Sequence, residues 1–318
     1  MDNFLAQLAF SVSITGPICL MLFLGVIFKK VGLINDNFID VASKLVFQVT
    51  LPALLFLSIV KSDHDFGSAT DFIAFGIIAN ILFFIFTSAT VGKAISNKKD
   101  KGVVVQGAYR ANTAIIGLAY VANAYGHDAV AVAAIYVAPM TILYNILAVI
   151  ALTPKGDSSF SQVSKVMVKS ITRNPLILAI MTGILFYTLS IPVPEMVLSA
   201  GQYFANMTLP LALLCTGGSL NLWSLKNEGK PAWVSTCYKL ALAPLFITSA
   251  ALLLGYRGLE LGIVFFMSSA PTAAASYVMA RAMGGNPTLA ANIIALTTLL
   301  SLLSTTSGIF ILSVFSLM

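Results

Sequence analysis

Two short polar patches interrupt long apolar stretches of this 318-residue chain. One reads Gln106-Gly107-Ala108-Tyr109-Arg110-Ala111-Asn112-Thr113. The other reads Ser268-Ser269-Ala270-Pro271-Thr272, with Ser276 and Tyr277 just beyond. Pro271 has no backbone N–H and clashes with the turn before it. Asn112 can bond the backbone through its own side chain and tolerates non-helical angles. Each residue marks a point where a helix can unwind. A helix that restarts after such a point presents unpaired N–H groups and the positive end of its dipole, which favours an anion. Thr113 and Thr272 open the restarting segments, and their hydroxyls could join the site. Arg110, two residues before Asn112, is a cationic lure for the same anion. The plainer readings are a Pro kink, an Asn112 bonded to a neighbouring helix, and an Arg110 that snorkels or holds a structural partner. They stand beside the sharper one.

A second pair of polar residues sits in apolar surroundings. Gln48 and Asn206 each precede a proline, Pro52 and Pro210, by one helical turn. Their amides and the carbonyls freed at the prolines could bind substrate or a cation. Equally, they could be interhelical hydrogen bonds, a common use of amides in membranes. Pro52, Pro210, Asn112 and Pro271 are the expected helix breaks. Among other bases, Lys239 lies within an apolar run and is a weaker candidate than Arg110, whereas Lys44 and Arg281 read as snorkelling side chains near span ends.

The acids are informative by position. None lies at the centre of an apolar stretch; Asp71, Asp128, Glu195 and Glu260 fall near stretch ends. Proton relays and many Na⁺ sites use buried carboxylates, so the usual coupling group is missing, although Na⁺ on neutral oxygens stays allowed. Cys19, Cys215 and Cys237 show no metal-ligand spacing and read as packing residues. With no buried acid, no buried histidine and no HExxH motif, neither an enzyme nor a metal site is expected. No cofactor is implied beyond a coupling Na⁺ or H⁺.

The elements that must hold these patches are membrane helices. Hydrophobic residues make up 58% and charged residues 9% of the chain, against about 25% charge in soluble domains. The net charge of +6 is a topology signal here and not a nucleic-acid one. Ten spans are expected, near 9–28, 40–60, 71–93, 103–125, 129–152, 174–191, 196–221, 231–254, 259–281 and 289–315. The first is expected to act as the insertion signal, and no cleavable leader is expected. A Ser- and Lys-rich segment over 153–173 divides the chain into halves 1–152 and 174–318, five spans each.

The halves repeat one another. Thr50-Leu51-Pro52 recurs as Thr208-Leu209-Pro210, and Ala111-Asn112-Thr113-Ala114 as Ala270-Pro271-Thr272-Ala273. Pro17 and Gly25 have the spacing of Pro175 and Gly183. Gly126 follows Asn112 as Gly285 follows Pro271. An odd number of spans per half inverts the second half, which is the sequence signature of a secondary transporter with its site at the repeat interface. The charges agree. Lys29, Lys30, Lys93, Lys98, Lys99, Lys101, Lys155, Lys165, Lys169, Arg173, Lys226 and Lys230 fall on one side, and only Lys61 and Arg257 on the other. By the positive-inside rule the first side is cytoplasmic. Both termini, His64 and His127 are then outside, and the linker is inside.

Taken as an ordered set, these motifs resemble the auxin efflux carrier family in its compact bacterial form. The likeness rests on Leu51-Pro52-Ala53-Leu54-Leu55-Phe56, on Arg110 to Gly117, on Leu209-Pro210 with Gly217-Gly218-Ser219-Leu220, and on Ala270-Pro271-Thr272 with Gly284-Gly285-Asn286-Pro287. The resemblance implies an all-α integral membrane protein of ten transmembrane helices. These would form two inverted five-helix repeats, with a scaffold, a mobile transport domain, and discontinuous fourth and ninth helices crossing beside the substrate. Plant members have a long central loop that is absent here, and bacterial relatives resemble carriers of malonate, malate and similar acids. Asn112 stands where some relatives have proline, so the fourth helix is expected to be less broken than the ninth. The expected function is alternating-access transport of a small carboxylated organic anion across the bacterial cytoplasmic membrane. A Na⁺-coupled symporter of the bile-acid type is the nearest alternative, and a channel a more distant one. The lipid bilayer is the certain partner, and the apolar scaffold spans allow a homodimer.

Overall fold

The computed structural model describes residues 2–62, 69–95, 97–126, 128–153, 168, 172–220 and 229–318. His64, His127 and linker residues 154–167 lie outside the described residues.

The chain is an all-α, multi-spanning membrane protein. In order the helices are α1 (Asp2–Lys30), α2 (Asp36–Leu45), α3 (Leu51–Val60), α4 (Ala69–Ala94), α5 (Lys98–Tyr109), α6 (Leu118–Tyr125) and α7 (Ala129–Leu152). Then follow α8 (Pro175–Thr188), α9 (Glu195–Gly218), α10 (Lys230–Cys237), α11 (Ala243–Leu253), α12 (Gly258–Ser269), α13 (Ala275–Ala282) and α14 (Pro287–Val314). Wide π turns at Val46–Thr50 and Tyr238–Leu242 fuse α2 to α3 and α10 to α11, and a third at Thr113–Gly117 leads into α6.

Among the described residues, six helical stretches are long and apolar enough to cross a bilayer: Leu5–Lys30, Asp36–Val60, Thr70–Val91, Ala129–Leu152, Lys230–Leu253 and Pro287–Val314. The other four expected spans fall short for local reasons. Thr113–Tyr125 and Gly258–Ser269 are halves of interrupted stretches, and Pro175–Thr188 is short. The remaining one, α9, has the length but carries Glu195, Gln202 and Asn206.

Pro52 and Pro210 do not break their helices, which corrects the expectation for those two positions. Helix runs without interruption from Asp36 to Val60, and α9 continues through Pro210. A proline ring clashes with the carbonyl four residues before it. For Pro52 that carbonyl belongs to Gln48, inside the Val46–Thr50 π turn, where the wider backbone leaves room. Pro244 stands in the same relation to the Tyr238–Leu242 turn.

Asparagines set three of the helix starts. Asn35, Asn174 and Asn286 each accept a backbone N–H from the first turn that follows, and Asn174 and Asn286 are each followed by proline, which fits the first helical position. Gly126 closes α6 at φ +81°. In the second half the positive angle falls on Gly284, one residue before the Gly285 that the repeat spacing pairs with Gly126.

Packing joins the halves reciprocally. The first helix of the first half, α1, lies on α9, and the first helix of the second half, α8, lies on α3. Glycine makes both contacts close. A Cβ on Gly217 would run into the Leu22 carbonyl, and one on Gly25 into the Leu214 carbonyl. On the second pair, a Cβ on Gly183 would approach Ile59 to 3.2 Å. Helices α1, α2–α3, α8 and α9 form one group. Helices α4 to α7 and α10 to α14 pack mainly among themselves and form the other, which meets the first chiefly through α1 against α6 and α14, and α3 against α7.

Candidate functional site

Both polar patches interrupt their helices, and the interruptions touch. Helix α5 stops at Tyr109 and α12 at Ser269. Ala111 and Thr272 then form an isolated antiparallel β bridge. The Asn112 N–H donates to the Pro271 carbonyl at 2.7 Å, and the Ala273 N–H donates to the Arg110 carbonyl at 3.1 Å. Unwound backbone within a bilayer has no water to satisfy it. Here each interrupted strand satisfies the other, with every one of these residues buried except the half-buried Ala273.

The side chains of the patches have distinct fates. Thr272 is buried; its hydroxyl donates to the Gly107 carbonyl at 2.7 Å and its N–H to Thr297 Oγ1 at 3.1 Å. Its proton therefore ties the two patches together. Asn112 makes no side-chain cap for the turn that follows it. Thr113 is buried, Ser276 is buried with an unpartnered hydroxyl, and Tyr277 is exposed. One turn before Arg110, Gln106 is wholly buried with neither amide atom hydrogen-bonded.

Arg110 is 6% exposed. Its guanidinium, which stays charged in proteins, donates to Asn145 Oδ1 at 2.7 Å and contacts the Met279 sulfur. Both partners are neutral, and one sits on α7, the other on α13. Asn145 stands beside Tyr144, whose hydroxyl donates to Asn80 at 3.0 Å and whose carbonyl accepts from Tyr109 at 3.3 Å. This polar cluster across α4, α5 and α7 is built from isolated residues in apolar helices. No short motif marks it; the only signal is a polar residue at a helix centre.

Lys239 is more buried than Arg110, at 1% exposure, and its Nζ donates to the Ser268 carbonyl at 2.8 Å, at the end of α12. Among the described residues no Asp or Glu is buried and no group of acids, histidines and cysteines could hold a metal ion.

A cavity of about 450 Å³ lies where the two helix groups meet. Pro17, Ile18 and Met21 of α1 and Leu54 of α3 form one part of its wall, and Ala205, Asn206, Leu209, Pro210 and Leu213 of α9 another. Ala119, Ala122 and Asn123 of α6 close it from the second group. Its size suits a small organic molecule. The segment that restarts after Asn112 thus reaches the cavity wall through α6, but none of the patch residues lines it. Of the two amides, Asn206 lines the cavity. Gln48 is exposed on the Val46–Thr50 turn and does not.

The profile of a family described as membrane transport protein matches residues 14–309. An uncharacterized transporter of Methanothermobacter thermautotrophicus is 22% identical over 293 residues, covering 90% of this chain and 93% of the relative. An uncharacterized transporter of Methanocaldococcus jannaschii is 23% identical over 297 residues, covering 90% and 94%. The match spans α1 to α14, including both interrupted stretches, and the chain belongs to the membrane transport protein family to which its resemblance to the auxin efflux carriers pointed: it is a membrane transporter and not an enzyme.

Proposed function

We propose that the protein is a secondary transporter that moves a small carboxylated organic anion by alternating access, with the substrate held beside the paired interruptions. The observation that carries this reading is Arg110. A buried cation with only neutral partners among the described residues is costly, and a carboxylate arriving next to it offsets that cost. The unpartnered Gln106 amide and Ser276 hydroxyl add hydrogen-bonding capacity in the same two segments, and the cavity gives room for a substrate between the two helix groups.

Ten transmembrane helices in two inverted repeats of five is the architecture we propose around this site, with Arg110–Asn112 and Ala270–Ala273 as the breaks of the fourth and ninth. The reciprocal packing of α1 on α9 and α8 on α3 supports it, as does the one-sided charge distribution, which favours both termini outside and the 153–173 linker in the cytoplasm. One helix group would then move against the other across the cavity.

Transport into proteoliposomes tests the reading. Asn112→Ala and Pro271→Ala both keep the backbone atoms of the bridge, so each should insert and fold while losing carboxylate transport. Normal transport by both would overturn the role of the crossing.

The Na⁺-symport alternative meets a specific observation. Carbonyls at the end of a broken half-helix are where such carriers hold Na⁺, and at Ser268 the Lys239 side chain already takes that carbonyl. Carboxylate transport that persists with choline replacing Na⁺ supports the anion carrier without Na⁺ coupling. Saturation with substrate separates a carrier from a channel.

A further inference from the structure

Lys61 is one of only two bases on its side of the charge map, and it is neither on a broken helix nor near Arg110 in sequence. It follows the last residue of α3 and reaches across to α9, where its Nζ donates to Gln202 Oε1 at 3.0 Å. Gln202 Nε2 in turn donates to Asn206 Oδ1 at 2.9 Å. Asn206 lines the cavity.

The direction of this chain starts at the lysine. A lysine ammonium has donors only, so it must meet the oxygen of Gln202. Gln202 keeps its NH₂ to give, and in the structure it gives it to the oxygen of Asn206. Asn206 is left with its own NH₂, which has no partner among the described residues. Each bond polarises the next, so the charge on Lys61 is expressed at the cavity as a hydrogen-bond donor. Asn123, the other amide in the wall, spends its Nδ2 on the Ile14 carbonyl at 3.0 Å, and most of the remaining wall is apolar.

We infer that Lys61, acting through Gln202, locks the Asn206 amide as a donor and makes this end of the cavity an anion subsite. Lys61 is a positioning residue that need not touch the ligand, and Asn206 is the contact. The inference extends the proposed carboxylate transport by naming a second anion-binding element, separate from Arg110, on the α9 wall.

The test needs no knowledge of the natural substrate. In full-length protein with Cys19, Cys215 and Cys237 replaced by alanine, Leu209→Cys puts one thiol in the cavity wall, one turn from Asn206. Its modification rates by the anionic sulfonatoethyl and the cationic trimethylammonioethyl methanethiosulfonates are measured, each normalised to a free thiol. The anionic reagent should be favoured by about tenfold, the factor of one hydrogen bond to a charged group. Lys61→Met and Asn206→Leu should abolish the preference. So should Gln202→Leu, although Lys61 is still present. Gln202→Glu should reverse it, because a carboxylate accepts from both neighbours and turns the Asn206 oxygen into the cavity. These side chains are not in the core, so the folded state can be verified for each by size exclusion. No anionic preference, or a preference that survives Gln202→Leu and Gln202→Glu, overturns the inference. Carboxylate transport measured on the same variants keeps the two ideas apart. Transport without the relay-dependent preference defeats only the relay, and the preference without carboxylate transport defeats only the proposed function.

Discussion

The Thr272 hydroxyl donates to the carbonyl of Gly107 at 2.7 Å, and that carbonyl is the one a continuous helix would have given to the N–H of Ala111. Ala111 has left the helix to form the bridge with Thr272. The same residue therefore takes part in the interruption and repairs the bond that the interruption costs. Thr272→Val keeps the shape and removes the donor, leaving a buried carbonyl unsatisfied at about 1–3 kcal/mol. The thermal midpoint should fall by several degrees, and Thr272→Ser should restore most of it. A Thr272→Val protein that melts like wild type would show that the Gly107 carbonyl does not depend on this hydroxyl.

Arg110 offers a test in which stability and function move apart. Arg110→Met removes a buried charge whose partners are an amide and a thioether. Replacing buried ions by apolar side chains of similar volume is often neutral or stabilising, so the midpoint should hold or rise while carboxylate transport is lost. A guanidinium kept only to brace α7 against α13 gives the opposite pattern, a lower midpoint with transport retained. Arg110→Lys should keep part of the transport, because the charge persists without the two-pronged geometry.

The residues differ in how much of this they disclose. Asn112 and Pro271 are visible in the sequence because each is out of place in an apolar run, and the repeat pairs them. Their backbone bridge follows from no residue type, since its donors and acceptors are main-chain atoms. Pro52 and Pro210 announce a missing N–H, yet both helices continue; at Pro52 a π turn makes the room, and a π turn is not a pattern of residue types, while α9 passes Pro210 as α-helix. Gln48 and Asn206 are equivalent in spacing and unequal in space: Asn206 lines the cavity, whereas Gln48 is exposed on its turn and its helix reaches the wall only through Leu54. The partners of Arg110, Asn145 and Met279, are far away in sequence and ordinary in type. The cavity wall is mostly Ala, Leu, Ile, Met and Pro, which read as lipid or core contacts anywhere else in the chain.

The α1–α9 crossing is held by backbone contact, which makes it intolerant of a single methyl group. Gly217→Ala would push a Cβ into the Leu22 carbonyl, an atom that no rotamer change can move. Overpacking of this kind costs about 1–3 kcal/mol or more. Purified Gly217→Ala should melt lower and aggregate more readily than wild type. Gly16→Ala, on α1 with only a Val12 methyl carbon nearby at 3.8 Å, should be neutral or gain up to about 1 kcal/mol from helix propensity. Equal behaviour of the two variants would mean that the helices do not approach this closely.

Lys239 repairs the second interruption as Thr272 repairs the first. In an unbroken α12 the Ser268 carbonyl would accept from the N–H of Thr272, but that N–H goes to Thr297 Oγ1 instead, and the Lys239 side chain takes the carbonyl. Leaving a buried carbonyl without its donor costs about 1–3 kcal/mol, so Lys239→Ala should lower the midpoint by several degrees. It also leaves a carbonyl at a helix end with space for a small cation. The midpoint of wild type should be the same in NaCl and in choline chloride at equal ionic strength, while Na⁺ should recover part of the loss in Lys239→Ala. Stabilisation of wild type by Na⁺ but not choline would place a cation elsewhere in the protein and return the Na⁺-coupled reading to first place.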